Sequence, residues 1–419
     1  MSRAAVVIGQ GYVGLPLAQA AALAGWTVHG LDVTESLVAA LNGGRSHVDD
    51  LSDADIAEML GAGYRATTDQ RVIADADVVV ICVPTPLSED GGPDLGAVLA
   101  ATRSCAEHLT ADTVVILEST TYPGTTDHQV LPLLEAAGHV LDTDFHLAFS
   151  PERVNPGFPE YGIRNTPKLV GGVTAASTEA ACAFYADFVD EVVPLLGARE
   201  AETAKLLENT YRHVNIALVN EMARFCHDLG IDIWEVIRGA GTKPFGFQTF
   251  RPGPGVGGHC IPIDPNYLSH EVRRQLGYPF RFVELAQEIN SGMPAYVVSR
   301  VADLLNDTGL ATRGATVLLL GVTYKPDIAD QRESPAVPVA ERLVEKGADV
   351  RFHDAFVETW HLRDRELTRV PDLAAAVAEA DVVVLLQDHR SYDADALARD
   401  AVVFFDTRGA TTSPAAHRL

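Results

Sequence analysis

"AAVVIGQGYVGLPLAQAAALAGWTVHGLD", residues 4–32, decides the fold. Residues 4–8 form a short apolar run of the length expected of a buried strand. Gly9, Gly11 and Gly14 follow in the spacing G-x-G-x-x-G. Leu15 to Leu23 reads as a helix, with Pro16 in its first turn, where a missing N–H is tolerated. Val28 to Leu31 is a second strand, and Asp32 follows it, 18 residues after Gly14. Strand, glycine turn, helix, strand and acid in this order predict a βαβ unit that binds a dinucleotide. The glycines let the backbone approach a pyrophosphate, which sits on the positive end of the helix. Asp32 would accept hydrogen bonds from the adenine-ribose hydroxyls and repel a 2′-phosphate, so NAD is expected rather than NADP. A glycine turn without a ligand is the plain alternative.

Further out, "ADVVVICVPTP" (76–86) and "DTVVILEST" (112–120) are buried strands, and "FHLAFSPERVNPG" (145–157) and "PKLVGG" (167–172) continue the same unit. Strands alternating with helices predict a parallel, doubly wound sheet. A long helix is expected over roughly 199–230, with Leu207, Tyr211, Val214, Leu218 and Met222 as its apolar face. Residues 231–310 also read as helical, interrupted by a Gly/Pro-rich loop over 239–267. At 313 the pattern restarts with "RGATVLLLGVTYKP", "GADVRFHDAF", "EADVVVLLQDH" and "AVVFFDTRG". This second α/β unit has no full G-x-G-x-x-G, so no dinucleotide is assigned to it. The expected fold is α/β, two Rossmann-like doubly wound domains joined by a long central helix. The expected boundaries are 1–196, 197–310 and 311–419.

The bulk properties narrow the function. The 419 residues suit two to three domains. The formal net charge of −25 disfavours nucleic acid and anionic membrane as partners, although a charge of that size serves solubility in any case. An anionic substrate would need locally gathered Lys and Arg. No apolar run reaches the ~18 residues of a membrane span. The N-terminal run is too short for a signal peptide, so a cytoplasmic location is expected. Cys82, Cys105, Cys182, Cys226 and Cys260 are scattered, with no CxxC pair, which fits a reducing compartment and gives no metal site.

"GVGGHCIPIDP", residues 255–265, places Cys260 among glycines. Alone, such a cysteine is more often a buried inert thiol. The chain's motifs change that weighting. "GQGYVGLPLA", "CVPTPL", "ESTTYPGTT", "FSPERVNPG", "KLLENTYRHVNIALVNE", "TKPFGFQTFRPGPGVGGHCIPIDP" and "TYKPDIADQRESP" occur in order over nearly the whole chain. Together they resemble the UDP-glucose/GDP-mannose dehydrogenase family. Their wording is most similar to the branch acting on UDP-N-acetylhexosamines, and "TKPFGF" followed by "PGPGVGGHCIPIDP" looks like its UDP-N-acetylglucosamine 6-dehydrogenases.

The resemblance implies a four-electron oxidation of a C6 alcohol to a carboxylate with reduction of two NAD⁺. Cys260 would form a thiohemiacetal and then a thioester. The surrounding glycines would let the sugar approach the backbone, and backbone N–H groups with His259 would favour the thiolate. Lys205, Asn209 and Arg212 share a helical face by spacing, opposite the apolar stripe. A solvated polar face is the ordinary alternative. The resemblance makes Lys205 an oxyanion stabiliser and Asn209 its partner; Arg212, on the same face, is left as a candidate substrate contact. It makes Asp264, through a water held by Thr121, the acid–base group, and Glu152 the base for thioester hydrolysis. A salt bridge to Arg153 is the alternative for Glu152. Lys325 and Arg332 would hold the nucleotide from the C-terminal domain.

Further cofactor contacts are expected at Tyr12, Val13, Pro84, Thr85, Ser119, Thr120 and Lys325. Further substrate contacts are expected at Arg153, Arg251, Gly257 and His259. A homodimer through the central helix is also implied. Arg251 stands where related loops often carry an aromatic or small residue, so the substrate's details stay open. UDP-glucose and UDP-N-acetylmannosamine remain alternative substrates. A two-electron hydroxyacid dehydrogenase of related fold, which needs no cysteine nucleophile, and a non-catalytic binding protein are the competing classes.

Overall fold

Eight strands build the first sheet: β1 (Ala4–Ile8), β2 (Thr27–Leu31), β3 (Tyr64–Thr67), β4 (Val78–Ile81), β5 (Thr113–Leu117), β6 (Phe145–Phe149), β7 (Lys168–Gly172) and β8 (Val192–Pro194). Their order is β3-β2-β1-β4-β5-β6-β7-β8. The first six are the doubly wound dinucleotide order, with the switch point between β1 and β4. The computed structural model describes residues 3–48, 50–86, 92–110, 112–154, 160–258, 261 and 264–419. It divides into two compact units, Met1–Glu208 with Asn266–Gly277, and Asn209–Pro265 with Tyr278–Leu419.

The strands are apolar on both faces because helices cover both. Ala5, Val7, Val80 and Ile116 pack with Leu15, Ala18, Ala21 and Ala22 of the helix Gly14–Leu23. Val6, Val79, Val115 and Leu117 pack on the other face with Val98, Ala101 and Cys105. Small residues on the inner side of Gly14–Leu23 bring that helix close to the sheet, which aims its N-terminus at the ends of β1 and β4. One expectation needs correction. β7 runs antiparallel to β6. No helix stands between them in the described chain, and without a crossover the chain returns beside β6 in the opposite sense.

The second unit holds β9 (Thr316–Leu320), β10 (Asp349–His353), β11 (Thr359–Leu362), β12 (Arg365–Thr368), β13 (Val382–Leu385), β14 (Phe404–Asp406) and β15 (Ala416–Arg418). Five form a parallel sheet in the order β10-β9-β13-β14-β15. β11 and β12 are a separate antiparallel hairpin. The fold is thus α/β with two Rossmann-like units and a long helix, Ala198–Asp228.

That helix overturns a second expectation. Of its predicted apolar face, Leu207, Tyr211 and Leu218 are 65%, 47% and 53% exposed, while Val214 and Met222 are partly buried, Met222 against Val219 and Ala223. Its buried positions mix apolar residues such as Ala201, Leu206, Ala217, Val219 and Ala223 with the polar Glu202, Lys205, Asn209, Thr210, His213 and Asn220. Buried ionisable groups and exposed leucines on one helix are both departures from ordinary core packing. Arg212 is exposed, so it leaves the buried face that Lys205 and Asn209 share.

Candidate functional site

The glycine turn is built by close approach. Gly9 donates its N–H to Leu31 O at 2.8 Å and takes φ +91. A Cβ there would stand 2.5 Å from Cys82 O, and a Cβ on Gly14 would stand 1.9 Å from Gly9 O. Gly11 differs: a Cβ would meet nothing within 4 Å. The protein itself therefore needs Gly9 and Gly14, while the bare backbone at Gly11 faces open space, the cradle a pyrophosphate requires. Tyr12 and Val13, next in the turn, are partly exposed.

Asp32 is set for its partner from below. Its carboxylate accepts Gln10 N at 3.0 Å and Thr34 N at 2.9 Å. Gln10 is itself buried, donating to Val7 O at 2.8 Å and accepting the Tyr64 hydroxyl at 2.7 Å. A Cβ on Gly30 would lie 2.4 Å from both Gln10 Oε1 and Tyr64 Oη, so that glycine makes room for the pair. Gln10, Gly30 and Tyr64 were not legible as site supports, because Tyr64 reaches Gln10 across 54 residues. The turn and the acid fit NAD.

The other expected cofactor residues sit at the carboxyl ends of β4 and β5. Thr85 donates to Thr120 O at 2.9 Å and Ser119 donates to Val83 O at 2.7 Å. Both hydroxyls thereby tie the two strand ends together. Tyr267 donates to the Thr85 carbonyl. Pro84 is exposed and Thr120 partly so.

Thr121 follows, 1% exposed, and its hydroxyl is a buried polar atom without a hydrogen-bond partner. Such a group requires an explanation, and a bound water or substrate oxygen would supply one. Its loop is held by Glu202, which accepts Gly124 N at 2.5 Å, Thr126 N at 2.9 Å and the Thr126 hydroxyl at 2.7 Å. Burial pushes Glu202 up to about 7 against those hydrogen bonds. Glu202→Gln puts an amide N–H where one oxygen accepts, so we expect a loss of ~1–3 kcal/mol in chemical denaturation. A raised carboxyl binds its proton more tightly in the folded state, so wild-type stability falls as pH rises from 4.5 through about 7. The deficit of the variant should narrow over that window; a constant deficit would contradict the assignment.

Ser150 to Arg153 is pinned residue by residue. Ser150 donates to Leu169 O at 2.8 Å and Lys168 to Pro151 O at 3.2 Å. Lys205 donates to the Glu152 carbonyl. Arg153 binds Glu208 at 2.7 Å and the Pro167 carbonyl, so its guanidinium is committed within the protein and does not pair with Glu152. The Glu152 carboxyl is pushed up by desolvation, pulled down by Lys168, pushed up by Glu118 and pulled down by Lys205, while Val154 N donates to it.

In the second unit, Asn209 donates to Asp264 at 2.5 Å, and both are buried, 6% and 3% exposed. One helical turn further on, His213 is held neutral, pulled down to about 4 by burial, with Nε2 lacking a partner. Cys260 and His259 lie outside the described residues. The protein itself requires bare backbone at the glycines before them. A Cβ on Gly257 would stand 2.7 Å from Glu333 O, and one on Gly258 would stand 2.7 Å from Tyr324 Cε2. Gly258 also donates to Arg332 O at 3.2 Å. The loop is thus seated on the "TYKPDIADQRESP" segment. Arg332 grips Asp330 with Nε at 2.9 Å and Nη2 at 2.5 Å, so a diphosphate would share or replace that partner. Lys325 is partly buried.

Arg251 is exposed, near enough to Arg408 and Asp388 to act on both electrostatically. Arg408 follows β14 at the strand's carboxyl end, the ligand side of an open α/β sheet, and sequence reading missed it. The same sheet repeats the first unit's turn. Gly321 donates to His353 O at 2.9 Å and Val322 to Asp354 at 2.7 Å, as Gly9 and Gln10 do to Leu31 and Asp32. Here the acid is closed off, because Asp354 takes His389 Nε2 at 2.9 Å and both are fully buried. Among the described residues no cluster of His, Cys, Asp and Glu suits a metal, and no helix is long and apolar enough to cross a membrane.

Comparison with known proteins places these features. Residues 3–189 match the NAD binding domain of the UDP-glucose/GDP-mannose dehydrogenase family, 199–292 its central domain and 318–413 its UDP binding domain. The chain is 35% identical to the UDP-N-acetyl-D-mannosamine dehydrogenase of Salmonella typhi over 96% of its length and 98% of the relative's. It is 36% identical to the UDP-N-acetyl-D-glucosamine 6-dehydrogenase of Pseudomonas aeruginosa, over 84% and 82%. The solved UDP-D-ManNAc dehydrogenase of Pyrococcus horikoshii superposes with a TM-score of 0.89 at 32% identity, covering 98% and 96%. The chain therefore belongs to the UDP-glucose/GDP-mannose dehydrogenase family and is an NAD-dependent nucleotide-sugar 6-dehydrogenase.

Proposed function

We propose that the substrate is a UDP-N-acetylhexosamine, oxidised at C6 to the uronic acid through a thiohemiacetal and a thioester on Cys260. The burial of Lys205, Asn209 and Asp264, with the Asn209–Asp264 hydrogen bond, carries this reading. Polar groups that are costly to bury are kept where they do chemistry. NAD, held by Gly9, Gly11, Gly14 and Asp32, supplies the hydride acceptor for both oxidations. Lys205 and Asn209 hold the developing oxyanion. Asp264 takes the alcohol proton through a water bound by Thr121. Glu152 activates the water that cleaves the thioester. Arg212, Arg251, Gly257 and His259 contact the sugar nucleotide, with Lys325 and Arg332 on its phosphates.

We assign the functional divisions to 1–196, 197–310 and 311–419. The exposed Leu207, Tyr211 and Leu218 support a homodimer through the long helix, and the acidic, reduced-cysteine composition supports a cytoplasmic enzyme. The motif wording favours UDP-N-acetylglucosamine. The manno epimer is the second reading, favoured by the relatives from Salmonella typhi and Pyrococcus horikoshii. Incubation of each epimer and UDP-glucose with NAD⁺ should give two NADH per sugar and a uronic acid. An acetamido sugar should exceed UDP-glucose in kcat/KM by about tenfold or more. Preference for UDP-glucose would reject the substrate class, and one NADH per sugar would reject the thioester route.

A further inference from the structure

Beneath Glu152 lies an ion pair to which the reaction as described gives no task. Lys168, at the start of β7, pairs with Glu118, at the end of β5. They are 7% and 1% exposed. Tyr185 donates to the other Glu118 oxygen at 2.7 Å, and the Lys168 ammonium stands 5.0 Å from the centre of the Tyr185 ring. Such a pair is rarely the most stable way to fill a core, since an apolar filling of the same volume often serves as well. What sets this one apart is where it points. The same ammonium donates to Pro151 O at 3.2 Å, and Lys205 donates to the next carbonyl, that of Glu152. Two lysines from two elements thus hold consecutive carbonyls, and the carboxyl they bracket is the one assigned to thioester hydrolysis.

We propose that Lys168, braced by Glu118 and Tyr185, is a positioning residue for Glu152, fixing its backbone and supplying the charge that keeps it a competent base. The proposal rests on the reading of Glu152 as the hydrolytic base. In that step water attacks the thioester carbon, a C–O bond forms and the C–S bond breaks. The sulfur leaves as the Cys260 thiolate, and the proton of the attacking water passes to Glu152. The step is not a redox step, and it needs an ionised Glu152. The groups facing that carboxyl are Lys168 from β7, Glu118 from β5, Lys205 from the long helix and Cys82 beyond β4. Tyr185 acts through Glu118, and Arg153 beside it is neutralised by Glu208. Lys168 is the strongest of the charges that favour the ionised form.

The test separates the two halves of the reaction. First-turnover NADH is followed by stopped-flow absorbance, and decay of the acyl-enzyme on Cys260 by rapid quench and mass spectrometry across pH. In Lys168→Met, first-turnover NADH should stay within about twofold, while acyl-enzyme decay slows about tenfold or more. The acidic limb of that decay should move up by about one pH unit, because Glu152 loses a charge that favours its ionised form. Lys168→Arg should restore the limb. Lys168→Met alone strands the Glu118 carboxylate, so the double variant with Glu118→Gln, which removes both charges, keeps the test open if the single variant misfolds. Its limb should fall between those of wild type and Lys168→Met. Glu152→Gln is measured beside them. If it accumulates acyl-enzyme but the Lys168 variants leave the limb in place, or slow both phases equally, Lys168 is merely structural and the proposal is overturned. If Glu152→Gln does not accumulate acyl-enzyme, the reading of Glu152 fails and the role of Lys168 falls with it.

Discussion

Gly14→Ala will cripple the fold of the N-terminal unit, whereas Gly11→Ala will leave the fold intact and weaken NAD. The two positions are three residues apart in one motif, yet the structure separates their tasks. A methyl group at Gly14 would overlap Gly9 O at 1.9 Å, and a main-chain oxygen in a tight turn cannot swing aside as a side chain does. The helix would have to move off the sheet, uncovering Leu15 and Ala18. Overpacking of that kind costs about 3 kcal/mol or more, which in a unit of this size lowers the melting temperature by roughly 6–12 °C. At Gly11 the methyl group meets no protein atom, so the melting temperature of the apoprotein should move by no more than about 2 °C. It would stand in the pyrophosphate's place, and a loss of about 2 kcal/mol corresponds to a roughly 30-fold rise in Kd. Thermal melts of the apoproteins and NAD titrations by calorimetry separate these outcomes. Equal destabilisation by both substitutions would remove the argument that Gly11 is kept for the ligand.

That pair also marks what the sequence carries well. A turn, its helix and the acid beyond the second strand are local, so their spacing was enough to place them, and the sheet order around them follows from topology rules. Long-range pairings were hidden. Lys168 and Glu118 are 50 residues apart, and nothing in "PKLVGG" or "ILEST" announces that they meet. The orientation of a helix was hidden as well. Leucine and tyrosine at helical spacing read as a core stripe, but periodicity reports only that one face differs from the other. On Ala198–Asp228 the buried side mixes both kinds: Lys205 and Asn209 are buried beside Leu206 and Ala217, and Leu207 and Leu218 are exposed. The glycines of 255–258 are a subtler case. They were legible as sites of close approach, but not what approaches. Tyr324 and Glu333, about 70 residues on, are what a Cβ at Gly257 or Gly258 would meet. The second unit failed the motif test because its turn keeps only Gly321, and the structure adds that its acid, Asp354, faces His389.

Replacing Cys260 with serine should abolish production of the acid while sparing the first oxidation. Alcohol to aldehyde releases two electrons and needs only a base and a hydride acceptor. Aldehyde to acid has no hydride to give until a nucleophile adds to the carbonyl, and the thiol is well suited to that task. A free thiol ionises near pH 8.5, whereas a serine hydroxyl stays protonated and needs a base of its own. The acyl group also leaves sulfur more readily than oxygen when water attacks. Loss of a nucleophile costs on the order of 10³-fold or more in turnover, and non-additivity with Glu152 is expected, because a base for hydrolysis has no substrate without the thioester. The measurement is NADH per sugar in the first turnover, with the product identified by mass spectrometry and the variant's NAD affinity checked for a native fold. One NADH and an aldehyde or its hydrate is the expected result. Two NADH at near wild-type rate would mean that Cys260 is no nucleophile and that the aldehyde hydrate is oxidised directly. Glu152, and with it Lys168, would then have no thioester to serve.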